Sequence, residues 1–294
     1  VNINIKKLNK VVIFGVGLIG GSFALALKKH AAVKHIVGVG RSQSSLARAV
    51  TLGIIDVACS NLADALDGAD LLLIAVPVAQ TESIFHAIYP YLQKQTIVTD
   101  AGSTKGDVIA AARRILAEKI GQFVPAHPIA GAEHSGPEAA MVDLYQGKKV
   151  VITALPENTH SALHLVASVW QGCGAIPHYL NSEQHDQIFA AVSHLPHVLA
   201  FALMNKIAEQ PEADLYFQYA ASGFRDFTRI AGASPEMWRD ITMANRDVLQ
   251  AELVQYQAQL QQISVALRQA NSDQLLAIFS KAQAARQRLI CSSS

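Results

Sequence analysis

Short runs of branched apolar residues alternate with amphipathic stretches through the first 180 positions of this chain. Residues 10–14 (KVVIF), 35–39 (HIVGV), 69–76 (ADLLLIAV), 96–99 (TIVT), 122–126 (QFVPA), 149–153 (KVVIT) and 175–179 read as strands. The run at 69–76 is apolar at nearly every position, the pattern of a strand covered on both faces. Helical periodicity takes over at 15–29, Ser42–Leu52, 80–93, 104–119 and Thr159–Gln171. Alternation of this kind predicts an α/β fold, a Rossmann-type doubly wound parallel sheet, over residues 1–180.

From Asn181 the pattern changes. Residues 183–209, 212–222, 235–270 and 272–289 read as helices, so 181–294 is expected to be an all-α domain. The stretch 235–270 carries apolar Met237, Ile241, Val248, Leu249, Leu253, Tyr256, Leu260, Ile263 and Leu267. Read as one helix it would be roughly 50 Å long, more than a small domain covers. A second copy of the chain packed against it, as in a homodimer, is the expectation.

Composition narrows the class. Half of the 294 residues are apolar, 16% are charged, and the formal net charge is +1. There is no basic field for nucleic acid, so an anionic ligand must be held by local arginines. Three scattered cysteines give neither a metal spacing nor a disulfide framework, which fits a cytoplasmic protein. No secretory or membrane segment is expected: the apolar run at 71–79 is short and contains Pro77.

Gly15, Gly17 and Gly20 have G-x-G-x-x-G spacing between a strand and a helix. The first supports the tight turn, the second lets backbone approach a pyrophosphate, and the third allows close helix–strand packing. Unpaired N–H groups at the helix start, around Leu18 and Ile19, would face the phosphates. Where a carboxylate would bind the ribose of NAD, this chain has Gly40, Arg41 and Ser42. Arg41 can pair with a 2′-phosphate and Ser42 can add hydrogen bonds, which favours NADP with NAD possible. The other reading is a surface arginine in an enzyme that accepts either.

His127 opens a Gly- and Pro-rich segment, HPIAGAEHSGP, at the expected carboxyl end of a strand, where ligands of such sheets sit. It can act on a substrate beside the cofactor or merely cap the strand. Ser103, in DAGSTKG, can face the same crevice or, like Thr104, cap the following helix. In the helical half, His194 and His197 share a face at i, i+3 without an evident third metal ligand, so no metal is expected. Arg225 and Arg229 suit carboxylate recognition, or form a surface network with Asp226.

Together these segments resemble the prephenate and arogenate dehydrogenases of tyrosine biosynthesis. The resemblance runs through FGVGLIGGS at 14–22, AVP at 75–77, DAGSTKG at 100–106, HPIAGAEHSG at 127–136, SHLPH at 193–197 and GFRDFTRIA at 223–231. It implies a Rossmann-type domain followed by a helical dimerisation domain, with Val76 and Pro77 near the cofactor. It further implies oxidative decarboxylation of a cyclohexadienol, with hydride transfer to NAD(P). His127 would accept the ring-hydroxyl proton, with Ser103 in the same cluster. Arg229 would grip a substrate carboxylate, and His197 would lie near the substrate side chain. Asp226, Trp238, Glu133, His194 and Arg225 would help to build the pocket. Ala132 replaces a threonine common in the family just before Glu133, a change bearing on recognition of a keto against an amino side chain. With Arg41 it leans the expectation to arogenate, with prephenate or dual use beside it. A β-hydroxyacid dehydrogenase, which would use a lysine of the helical half, and a non-catalytic NADP-binding sensor are the alternatives.

Overall fold

The structure, a computed structural model, describes residues 7–132 and 134–291. The chain opens with β1 (Leu8–Phe14), α1 (Leu18–Lys29), β2 (Val33–Val39), α2 (Gln43–Thr51), β3 (Val57–Ala58) and α3 (Leu62–Leu66). It continues through β4 (Leu71–Ile74), α4 (Thr81–Ile88), β5 (Ile97–Asp100), α5 (Gly106–Leu116) and β6 (Phe123–Val124). These strands make a wholly parallel sheet in the order β3-β2-β1-β4-β5-β6. That is the doubly wound order, in which the chain reverses direction across the sheet beside β1 and leaves a ligand crevice there.

Alternation along the strands explains the continuous apolar runs. Val11 and Ile13 of β1 and Leu71 and Leu73 of β4 face a core that contains Phe23, Tyr145 and Trp170. Val12, Phe14, Leu72 and Ile74 face the opposite core, with Phe85, Ile109 and Phe123. Successive side chains leave a strand on opposite faces, so both sets are buried only because helices cover both faces.

The sheet does not extend as the sequence pattern implied. After β6 the chain enters β7 (Ala126–Pro128), which joins β8 (Lys149–Ile152) and β9 (Ile176–Tyr179) in a separate sheet. There β7 is antiparallel to β8, and β8 is parallel to β9. Pro125 marks the change. It has no N–H to continue a ladder, its carbonyl accepts from Thr153 N at 3.0 Å, and the next amide, Ala126, donates to the Asp100 carboxylate at 2.9 Å. His127 therefore lies within an antiparallel strand instead of a loop beyond a parallel one.

Then come α6 (His160–Gly172), α7 (Ser182–Phe189), a π-helical turn at Ala190–His194, and α8 (Leu195–Ala208). After them come α9 (Ala213–Gln218), α10 (Ser222–Thr228) and α11 (Pro235–Ala244). Contacts divide the chain into two compact units, Val1–Arg246 and Asp247–Ser294. The second unit is built on α12 (Arg246–Arg268) and α13 (Ser272–Cys291), joined at a turn where Ala270 has φ of 51°. Asn271 caps α13 by accepting from Gln274 N at 3.0 Å.

The single helix expected at 235–270 is two helices. Asn245 interrupts it with φ −113° and ψ 29°. Its side-chain amide donates to the Asp186 carbonyl at 2.9 Å and meets His194 Nδ1 at 3.3 Å. Those partners reward a non-helical backbone at a residue of modest helix propensity. Among the described residues, Ser182–Ala208 is a helix long and apolar enough to cross a membrane by length and composition, although it carries buried His185, Asp186 and His194.

Lys105 is 0% exposed and pairs with Asp100, 1% exposed, at 2.5 Å. Removing one partner of such a pair leaves a buried charge uncompensated. Asp100→Asn is therefore expected to lower stability by about 3–5 kcal/mol in urea unfolding; a loss under about 1 kcal/mol would show that Lys105 finds other compensation.

Candidate active site

The glycine-rich turn has the shape the sequence implied. Gly15 holds φ of 87°, and a Cβ there would strike the Ala75 carbonyl and Val76 Cγ1. A Cβ on Gly20 would strike the Gly15 carbonyl and Ile13. At Gly17 it would meet nothing within 4 Å, and Gly17 is the N-cap of α1 without a capping side chain. The α1 N-terminus, through Leu18 and Ile19, thus opens onto free space suited to a pyrophosphate. Val76 and Pro77 follow β4 on the other side of Gly15, and the turn that starts at Val78 packs Val78 against Trp238 and Ile241.

At the end of β2, Arg41 is exposed and Ser42 caps α2, accepting from Ser45 N at 3.2 Å. The Ser42 hydroxyl also lies 3.0 Å from those of Ser44 and Ser45. With no acidic residue in the first turn of α2, this corner is favourable to an anion.

The loop from Asp100 to Gly106 links the sheet to the helices beyond it. Asp100 accepts from Gly102 N at 3.0 Å and Ala126 N at 2.9 Å besides pairing with Lys105. Neither Ser103 nor Thr104 caps α5. The backbone amides of Lys105 and Gly106 donate instead to Asp186 of α7, at 2.9 and 2.7 Å. A carboxylate from elsewhere in the chain thus occupies the helix N-terminus, where negative charge is favoured.

From Asp186 the network continues to the strand of the second sheet. Its Oδ1 lies 2.8 Å from His185 Nδ1, and His185 Nε2 lies 2.9 Å from His127 Nδ1. Phe189, one turn along α7, packs against both rings, with centroids 4.8 Å from His127 and 4.5 Å from His185. His127 is half-buried, and His185, fully buried, is its hydrogen-bond partner in place of Ser103, which is half-buried in the loop two residues before Lys105.

Sequence reading missed His185 and Asp186. A signal existed: 185, 186, 189, 190 and 194 form one buried helical stripe, and polar residues on a buried stripe call for partners. It was hidden because the partners, Lys105 N and His127, are more than fifty residues away.

Burial lowers the His127 pKa well below the ordinary histidine value, helped by charge on His185, Lys105 and His194. Burial also lowers His185, against the opposing Asp186 hydrogen bond. For Asp186 burial acts upward, but His185 and the two amides outweigh it and leave its pKa below the usual carboxylate value. His194 is lowered to about 4, chiefly by burial.

The remaining expected residues divide. His197 stacks on Trp238 with centroids 3.5 Å apart and donates from Nδ1 to the Ser193 carbonyl at 2.8 Å. Its pKa is lowered by burial and then by the charge of Arg229, which places Arg229 in its neighbourhood. His194 faces Asn245, so His194 and His197 do not converge on a common point as metal ligands would. Arg225 and Asp226 are exposed on α10, with Arg225 Nε donating to the Ala220 carbonyl at 2.9 Å, and neither joins the imidazole network. Glu133, expected against the substrate, lies outside the described residues, whereas Ala132 is exposed beside it.

Two family descriptions match nearly end to end: "Prephenate dehydrogenase, nucleotide-binding domain" over residues 23–178, and "Prephenate dehydrogenase, dimerization domain" over 181–281. The chain belongs to the prephenate dehydrogenase family. It is 34% identical to the cyclohexadienyl dehydrogenase of Zymomonas mobilis over 94% of each chain. The crystal structure of the Aquifex aeolicus prephenate dehydrogenase, in complex with hydroxyphenyl propionate and NAD+, superposes with a TM-score of 0.88. It is 36% identical and covers 96% of this chain and 98% of its own. The Synechocystis arogenate dehydrogenase superposes with a TM-score of 0.80 at 26% identity, covering 95% of this chain and 99% of its own. Membership makes this protein an oxidoreductase with a nicotinamide cofactor, and the open cradle at Gly17 fits one.

The lowered histidines fix a sign for pH dependence. Between about pH 6.5 and 4 the unfolded chain binds protons that native His194 refuses. Its contribution is complete above pH 6.5 and is lost as pH falls towards 4, at up to about 1.4 kcal/mol per pH unit. Urea-unfolding stability is expected to decline from pH 7 to 5, and less steeply in His194→Gln; equal slopes for the two proteins would contradict the assignment.

Proposed function

We propose that this protein catalyses the oxidative decarboxylation of arogenate or prephenate, in tyrosine biosynthesis, with His127 as the base. The observation that carries this reading is a half-buried imidazole, hydrogen-bonded into a network that ends on a carboxylate, in a fold whose glycine turn is open to a dinucleotide. A nicotinamide cofactor held at the Gly15–Gly20 turn would supply the hydride acceptor for the carbon that bears the ring hydroxyl. His127 takes the hydroxyl proton as the carbonyl forms. The bond to the ring carboxylate then breaks, CO2 leaves, and its electron pair makes the ring aromatic. The resulting phenolate takes a proton back, so the histidine is restored. A base in this role needs its free form at working pH, and the lowered pKa of His127 supplies it.

Arg229 is assigned to a substrate carboxylate and His197, stacked on Trp238, to the substrate side chain. Ser103, Glu133, Asp226, Arg225 and His194 complete the proposed surroundings. Arogenate is the favoured substrate because Ala132 lacks a hydroxyl for the side chain. NADP is the favoured cofactor because Arg41, Ser42 and the acid-free start of α2 offer donors and no repelling carboxylate.

The alternatives find less support. A β-hydroxyacid dehydrogenase would need a lysine from the helical half, and through residue 246 that half has a single lysine, Lys206, exposed near the end of α8. A passive NADP sensor would not need the charged network behind His127.

The proposed organisation places the cofactor domain at 1–180 and the substrate and dimerisation domain at 181–294, in a cytoplasmic homodimer. Exposed Leu260, Leu267, Leu276 and Phe279 on the last two helices, and the apolar helix Ser182–Ala208, are surfaces a second copy could cover.

Turnover with each substrate and each cofactor, followed by nicotinamide reduction, tests the reading. Arogenate with NADP is expected to give the highest kcat/KM; no reduction with any pair would refute it. Arg41→Asp should move the NADP-to-NAD ratio of kcat/KM towards NAD by about tenfold or more, and an unchanged ratio would place the phosphate elsewhere.

A further inference from the structure

We propose that His185 and Asp186 form a positioning pair that holds His127 as its Nδ1–H tautomer, so that Nε2 is the atom that takes the substrate proton. The inference rests on the role given to His127 above and adds the residues that impose it.

Donors and acceptors along the chain of contacts set the tautomer. An ionised carboxylate only accepts, so the 2.8 Å contact between Asp186 Oδ1 and His185 Nδ1 requires the proton on Nδ1. A neutral His185 then has a bare Nε2. That nitrogen lies 2.9 Å from His127 Nδ1 and can only accept, so the His127 proton must sit on Nδ1. His127 Nε2 is left with its lone pair. An isolated imidazole prefers the opposite tautomer, so the pair imposes a form that the ring would not choose.

The anchor of the chain is firm. Asp186 accepts from the amides of Lys105 and Gly106 at the start of α5, at 2.9 and 2.7 Å, and its own carbonyl accepts from Asn245. Phe189 packs beside both rings and limits their rotation. The charged and titratable groups around the pair are Asp100 at the end of β5, Lys105 in the loop after it, Asp186 on α7, and His194 on the π turn. Burial opposes a positive His127, and so does the charge of Lys105.

That opposition gives the pair a second task. When the hydroxyl O–H breaks and the proton joins His127 Nε2, the Nδ1 proton is already directed at His185 Nε2. Positive charge can then be shared with His185 and faced by the Asp186 carboxylate, which stays ionised. When the phenolate takes the proton back from Nε2, the chain returns to its starting form. The arrangement resembles in its physics a carboxylate that orients a catalytic histidine through Nδ1, with one more imidazole between them.

Nitrogen NMR on histidine-labelled full-length protein, without substrate at pH 7.5, tests this. His127 is expected to show a protonated Nδ1 and a bare Nε2. His185→Gln, whose amide oxygen can still accept that proton, should keep the tautomer. His185→Leu should release it to the Nε2–H form and lower kcat by about 100-fold or more, with KM and cofactor affinity within about twofold. A wild-type His127 protonated on Nε2 would overturn the proposal, and so would a folded His185→Leu that retains both tautomer and kcat. The tautomer is read without substrate, so it decides this inference even if the proposed reaction is wrong. Normal turnover with the opposite tautomer would remove only the positioning pair.

Discussion

The buried pair of Asp100 and Lys105 is the constraint on which the site depends. It fixes the loop at the end of β5, and that loop serves two neighbours at once. Asp100 takes the Ala126 amide, which sets the residue before His127, while the Lys105 and Gly106 amides hold Asp186. The sheet, the strand of His127 and the first helix of the helical half are thus tied within a few residues of one another. A buried ion pair is weak evidence for net stability. Here its value is geometric, because each partner also fixes a backbone that carries or supports a reacting group.

The same economy of placement appears at the cofactor turn. Gly15 and Gly20 are required by close approach within the protein, whereas Gly17 meets nothing. The first two shape the turn, and the third leaves room for a ligand. Val78, just beyond β4, then packs on Trp238, which also stacks on the ring of His197. The cradle and the proposed side-chain subsite are therefore joined through a small apolar cluster rather than through a chain of charges.

Much of this was legible in the sequence where the signal was local. The G-x-G-x-x-G turn, the continuous LLLI strand and the change to helices after Leu180 each depend on neighbours a few positions apart. The features that were not legible depend on distant partners. Nothing local to QFVPAHP tells that Pro125 ends one sheet and that β7 starts another, because the Thr153 amide that takes its carbonyl is 28 residues on. The break at Asn245 is likewise decided by Asp186 and His194. His127 was found from its motif, but its partner was expected to be Ser103. The observed partner, His185, belongs to a helix whose polar stripe has meaning only once the loop at Lys105 is in place.

The central claim is that His127 acts as one unit with the carboxylate two hydrogen bonds away. A double-mutant cycle on kcat tests it most directly, using His127→Asn, Asp186→Asn and the two together in folded protein. The account predicts that each single change is strongly damaging and that the double variant is no slower than His127→Asn alone, within about threefold. Losses that multiply in the double variant would contradict it, because Asp186 would then act independently of the histidine.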